Sequence, residues 1–206
     1  MSCKVISVVD DKNRAYHLEK SLKHFGWDYE IIQASWRGFG TKLNTLNAYL
    51  HENPKIDKFI FVDGYDTFFL GNEEEFMSKI KSPSLISTEI NCWPDIAREG
   101  DYPSTKHKFK YCNSGTYFMQ SELFKMLMER EPIQDDADDQ RWMTDQVIKR
   151  GLSLDYDRQC FQTLCGILKD EDYILLENRM LTNVGTRPII IHGNGKANME
   201  FIYDLI

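Results

Sequence analysis

Short β-branched runs alternate with amphipathic helical stretches along this 206-residue chain, and that alternation constrains the fold more than any other feature. KVISVV near the start reads as a buried strand. From about Asn13 to Phe25, Tyr16, Leu18, Leu22 and Phe25 recur at helical spacing, and Gly26 stops the pattern. YEII is a second strand. Thr41 to His51 reads as a helix with Leu43, Leu46 and Leu50 on one face, and KFIFVD (58–63) as a strong strand ending in the acidic turn DGYD. SLIST (84–88) and GTYFM (115–119) are further strands. Helices are expected from Ser121 to about Glu129 and from Asp138 to Arg150, with LSLD, YILL and PIIIH as the remaining strands. A β-α-β-α order of this kind predicts one α/β domain over 1–206, with a mostly parallel central sheet flanked by helices.

In such sheets ligands gather beyond the carboxyl ends of the strands. The residues with most chemistry fall there: Asp10 after the first strand, Asp63 and Asp66 after the third, His192 at the end of the last. Two carboxylates three residues apart at a strand end suit a hard divalent cation, Mg²⁺ or Mn²⁺, which would bridge the phosphates of a nucleotide diphosphate. Tyr65 between them is flat enough to stack on a base. A solvated turn is the plainer alternative. In IIIHGNGK, His192 is a candidate metal ligand, Gly193, Asn194 and Gly195 allow close backbone approach to phosphate, and Lys196 adds a counter-charge. The alternative is an imidazole capping a strand before a turn. The acidic cluster Asp135 to Asp139 reads as favourable charge at a helix N-terminus, or places Asp138 and Asp139 where they orient a sugar or act as a base. Glu89 and Trp93 follow a strand, and suit sugar hydroxyls and a sugar face. Asn113 lies in a polar stretch, YCNSG, read as a turn. Lys42 opens a helix after a glycine-bearing loop, a position that suits an anion.

Charge and cysteine content narrow the classes. The formal net charge is -7, so a broad basic face for a nucleic-acid backbone is disfavoured, although Lys106, His107, Lys108 and Lys110 form a local basic stretch. The five cysteines include no CxxC pair, which argues for free thiols rather than a zinc site or a disulfide framework. The apolar stretch Val5 to Val9 is too short for a signal-peptide core, and no run nears the ~20 residues that span a bilayer. The expectation is an intracellular protein acting without a membrane.

Taken in order, FVDGYD, TEINCWPD, YCNSG, DDADDQ, LDYDRQCFQ and IHGNG resemble the glycosyltransferase domain of the procollagen lysyl hydroxylases, over roughly residues 4–200. The resemblance implies a GT-A fold, a UDP-sugar donor and Mn²⁺, here as a stand-alone domain. It implies Asp63, Asp66 and His192 as metal ligands, and Tyr65 as the residue stacked on uridine. Val9, Lys42, Asn113, Gln140, Gly193, Asn194, Gly195 and Lys196 fall on the donor side. Asp138, Asp139 and Glu89 are the candidate catalytic residues, with Trp93 and Glu89 toward the acceptor. The chain departs from the family at Ala137, which breaks the acidic stretch, and at Thr116, where NSGT stands for NSGG. The expected reaction moves a hexose, glucose in the first instance, from UDP to a hydroxyl on a protein side chain, a glycan or a hydroxymethylated pyrimidine in DNA. The competing classes are a metal-dependent nucleotide-sugar hydrolase and an inactive nucleotide-sugar or glycan-binding module.

Overall fold

A computed structural model describes residues 3–206. β1 (Lys4–Val9) is buried along nearly its whole length. A 3-10 turn over Lys12–Ala15 leads into α1 (Tyr16–His24), so the helix expected over 13–25 forms in two pieces. β2 (Tyr29–Gln33), α2 (Gly40–Glu52) and β3 (Lys58–Val62) follow as the patterning predicts. β4 (Thr67–Phe69) and α3 (Glu73–Lys79) occupy a stretch the periodicity left unassigned; Asn72 caps α3 by accepting from the Glu75 amide. Next come β5 (Ser84–Glu89), β6 (Tyr111–Gln120), α4 (Ser121–Arg130) and α5 (Asp139–Arg150). The chain ends with β7 (Phe161–Thr163), β8 (Tyr173–Leu176), β9 (Arg179–Thr182), β10 (Ile190–His192) and α6 (Glu200–Tyr203).

The central sheet has the order β2-β1-β3-β6-β5. β1 pairs in parallel with β2 and β3, and β6 runs antiparallel to both β3 and β5, so every strand but β6 points the same way. Side chains alternate across it. Ile6, Val8, Phe59, Phe61, Tyr117 and Met119 face a core closed by Leu43 and Leu46 of α2, Phe124 and Leu127 of α4, and Trp142 and Met143 of α5. Val5, Ile60, Val62 and Phe118 face the opposite core, closed by Leu18 and Leu22 of α1 and Phe76 of α3. This two-sided burial is why the strands read as near-continuous apolar runs. All five cysteines are free. Among the described residues no helix is long and apolar enough to cross a membrane.

Three expectations are corrected. LSLD is not a strand: Leu154 makes one bridge to Ile86, and then Asp155 turns the chain by accepting from the amides of Gln159, Cys160 and Phe161 at 2.8, 2.8 and 2.9 Å. YCNSG is not a turn but the first half of β6, whose pairing with β5 shifts register between Ile86 and Ser87. β10 does not extend the central sheet. It lies in a second sheet, β4-β10-β7, and reaches the active end of the first by pairing His192 with Thr67.

Candidate functional site

Asp63 leaves the carboxyl end of β3, and Asp66 immediately precedes β4. The antiparallel pairing of β4 with β10 carries His192 back to both. Its Nε2 lies 3.7 Å from Asp63 Oδ2 and 3.5 Å from Asp66 Oδ1. One ligand atom from each residue falls within 4.8 Å of the others. Two hard carboxylate oxygens and one imidazole nitrogen form a donor set that fits Mn²⁺, and Mg²⁺ less completely because of the nitrogen. The site depends on a glycine: a Cβ on Gly115 would fall 2.1 Å from His192 Cε1 and 2.8 Å from Asp63 Oδ2.

Burial raises Asp63 above the usual carboxylate range despite Lys42 beside it. Burial opposes charge on both His192 and Asp66, yet each holds the other ionised: the imidazole is raised and the Asp66 carboxyl lowered.

Lys42 sits in the first turn of α2, 4% exposed. Its Nζ lies 2.8 Å from Asp63 Oδ1 and 2.7 Å from Asp139 Oδ2. Burial would lower its pKa, but the two carboxylates raise it. Gly40 permits this placement, since a Cβ there would lie 2.0 Å from the Gln134 carbonyl oxygen. Asp139 also accepts from Ser114 Oγ at 3.1 Å. Asp138 is the N-cap of α5, accepting from the Arg141 amide at 2.9 Å.

Glu89 is the hub of the other side. Its Oε1 accepts from Asn113 Nδ2 at 2.9 Å and Gln140 Nε2 at 2.8 Å, and its Oε2 from Asn194 Nδ2 at 3.2 Å. Burial raises its pKa, and these donors partly offset that. Gln140 Nε2 also donates to the Trp93 carbonyl at 2.7 Å. Asn194 Oδ1 accepts from the amides of Leu164 and Cys165 at 3.1 and 2.9 Å, so its side chain braces the loop around it.

Two cavities of about 620 and 660 Å³ meet at this cluster, sharing Phe39, Lys42, Asp63 and Asp66. The first is lined by Glu89, Trp93, Asn113, Asp138, Asp139 and Gln140 and by His192, Asn194 and Gly195. The second is lined by Val9, Asp10, Arg14, Tyr65, Gly193 and Lys196. There the Tyr65 hydroxyl accepts from the Asp11 amide at 2.9 Å and donates to Asp10, while the Arg14 guanidinium lies 4.1 Å over its ring. Trp36 and Phe39, left without a role by the motif reading, line this second cavity as exposed aromatics. Two exposed rings in a glycine-bearing loop just before Lys42 were the available signal. The basic stretch lies elsewhere: Lys108 pairs with buried Asp172 at 2.7 Å, and His107 lies 3.5 Å from Asp157.

The fold is of the GT-A type. A glycosyltransferase involved in glycosylation of the major capsid of PBCV-1 superposes with a TM-score of 0.54 over 99% of this chain and 100% of that one, at 10% identity. The chain belongs to the PLOD GT domain family, whose model matches residues 2–203. It is 32% identical over 205 residues to the procollagen-lysine,2-oxoglutarate 5-dioxygenase of Drosophila melanogaster, covering 91% of this chain and 28% of that protein. It is 31% identical over 169 residues to an Acanthamoeba polyphaga mimivirus protein (78% and 36% covered). It is 29% identical over 180 residues to the Homo sapiens multifunctional procollagen lysine hydroxylase and glycosyltransferase LH3 (81% and 24%). The chain thus spans about a quarter to a third of the length of these relatives.

Proposed function

We propose that this chain is a metal-dependent hexosyltransferase that uses a UDP-sugar, UDP-glucose in the first instance, and a hydroxyl acceptor. The observation that carries the reading is that Asp63 and Asp66 lie at the waist between two cavities, with His192 beside them on the first. The uridine occupies the second cavity, against Tyr65 and Val9. The diphosphate lies at the waist, near Lys196 and the backbone of Gly193 to Gly195. The sugar enters the first cavity beside Asp139, Gln140 and Asn113, and the acceptor approaches past Trp93 and Glu89. A bound Mn²⁺ would supply positive charge to the departing diphosphate, where electrostatic help is worth most.

The carboxylates near the sugar are already engaged. Asp138 caps a helix, Asp139 answers Lys42, and Glu89 accepts three hydrogen bonds. Each keeps an oxygen with acceptor capacity to spare, so all three stay candidate bases should the displacement invert. Following the family resemblance, the reading is retention: the acceptor oxygen bonds to the anomeric carbon on the face the diphosphate leaves, and its proton goes to the leaving phosphate oxygen. The first cavity is lined by six carboxylates, those of Asp63, Asp66, Glu89, Glu99, Asp138 and Asp139, against the single lysine Lys42. Such a wall repels a polyanion. A hydroxyl on a polypeptide or glycan is favoured over a DNA base, in line with the lysine-modifying relatives.

The test is UDP release from a panel of UDP-sugars with Mn²⁺, with and without hydroxylysine or galactosyl-hydroxylysine peptides. Release accelerated by an acceptor is expected. Release indifferent to every acceptor identifies a hydrolase, and tight binding without turnover a binding module.

A further inference from the structure

We infer that Asn113 is the positioning residue of the metal site: its side-chain oxygen fixes which imidazole nitrogen of His192 faces the two carboxylates, and its amide ties that choice to Glu89. The inference rests on the metal-dependent reading above and adds to it a residue that acts through His192 rather than on the sugar.

Asn113 lies within β6 and is 4% exposed. Its Oδ1 accepts from the Gly115 amide at 3.1 Å and lies 3.0 Å from His192 Nδ1, while its Nδ2 donates to Glu89 Oε1 at 2.9 Å. The orientation of the side-chain amide is fixed from both ends. A backbone N–H can only donate, so the atom it meets is the oxygen, and the Glu89 carboxylate takes the NH₂. Oδ1 can only accept, so His192 Nδ1 must carry the hydrogen. Nε2, which faces Asp63 Oδ2 and Asp66 Oδ1 at 3.7 and 3.5 Å, is then the nitrogen that gives up its proton when a metal binds. A metal binds the unprotonated nitrogen, and the partner of the other nitrogen decides which one that is. Both lone pairs of Asn113 Oδ1 are then occupied, so this oxygen is not on offer to a sugar hydroxyl. Glu89 in turn is held by Gln140 and Asn194. A continuous line of hydrogen bonds runs from the wall of the first cavity to the metal ligand.

The experiment measures Mn²⁺ affinity of the full chain without nucleotide, from the free-ion electron paramagnetic resonance signal. Wild type, Asn113→Ala and the swap Asn113→Asp/Glu89→Gln are compared, each checked for folding by circular dichroism. The alanine variant should bind about 10–100-fold more weakly. The swap keeps an acceptor at His192 Nδ1 and Gly115 and returns a donor from position 89, while Gln140 Nε2 loses Glu89 Oε1 but keeps the Trp93 carbonyl, so the swap should stay within about fivefold of wild type. Alanine and swap variants equally weak, or alanine as tight as wild type, overturns the inference. Wild type that binds no Mn²⁺ removes the functional reading as well. A second measurement does not depend on any variant folding: long-range ¹H–¹⁵N spectra of wild type loaded with Zn²⁺ as a diamagnetic stand-in. His192 should show a protonated Nδ1 and a metal-bound Nε2, and the reverse assignment overturns the inference.

Discussion

Replacing Lys42 by Met should damage the fold before it damages chemistry. The ammonium answers two carboxylates, at 2.8 and 2.7 Å, from a position 4% exposed. At an effective dielectric of about 20, each contact is worth about 6 kcal/mol of attraction, most of it offset by desolvating three charges. Met fills the same volume but leaves half-buried Asp63 and buried Asp139 beside each other without a cation. Breaking a buried pair in this way costs about 3–5 kcal/mol. For a chain of this size that is a fall of roughly 6–20 °C in Tm, read by differential scanning calorimetry in EDTA. Adding Asp139→Asn removes one orphaned charge and should restore part of the loss. The sign with pH follows. Burial already raises Asp63, and losing Lys42 raises it further above its unfolded value, so the deficit grows as pH rises through that range and shrinks toward pH 4. A single variant within about 1 kcal/mol of wild type, with no response to Asp139→Asn, would refute the argument that Lys42 is the counter-ion of the waist.

Gly115→Ala drives a methyl into His192 and Asp63, so Mn²⁺ affinity should fall at least about tenfold by calorimetry while α-helical circular dichroism persists. Tyr65→Ala should weaken UDP binding by about 5–150-fold if the ring carries the base, because base–aromatic stacking is worth about 1–3 kcal/mol; an unchanged Kd would place the base elsewhere. In the metal-free protein, His192 contributes stability that is full below its unfolded value near 6.5 and lost as pH rises through its raised folded value. The Asp66 contribution is present above about 3.9 and lost as pH falls through its depressed folded value. Thermal melts in EDTA should therefore show the pair's contribution largest between about pH 4 and 6.5 and absent in His192→Ala. Because Mn²⁺ needs the imidazole unprotonated, its affinity should climb as pH rises through the raised His192 value.

The central sheet was legible because its strands are covered on both faces and carry unbroken apolar runs, as Phe59 to Val62 does. Asp63 and Asp66 were legible for the same reason, since a strand that ends in charge marks the active edge of the sheet. The polar first half of β6 was not. Asn113 and Ser114 lie in a strand whose side chains serve the site rather than the core, so their polarity imitates a turn. The LSLD pattern has strand composition, but the carboxylate of Asp155 takes three amides that a ladder would otherwise use. The engagement of Lys42 and Asn194 with protein rather than ligand was also hidden, because a motif gives the position of a side chain in the chain and not the direction of its polar atoms. Arg14 over Tyr65 is a contact of the same kind.

On the proposed function, Asp63, Asp66 and His192 hold a cation that in turn holds the diphosphate of a nucleotide sugar. Calorimetry of UDP with Mn²⁺, with EDTA, and with Mn²⁺ on His192→Ala tests it directly. Binding is expected with Mn²⁺, should disappear in EDTA and should weaken at least about tenfold in the variant. UDP binding of equal strength in all three titrations, or none in any, would contradict it.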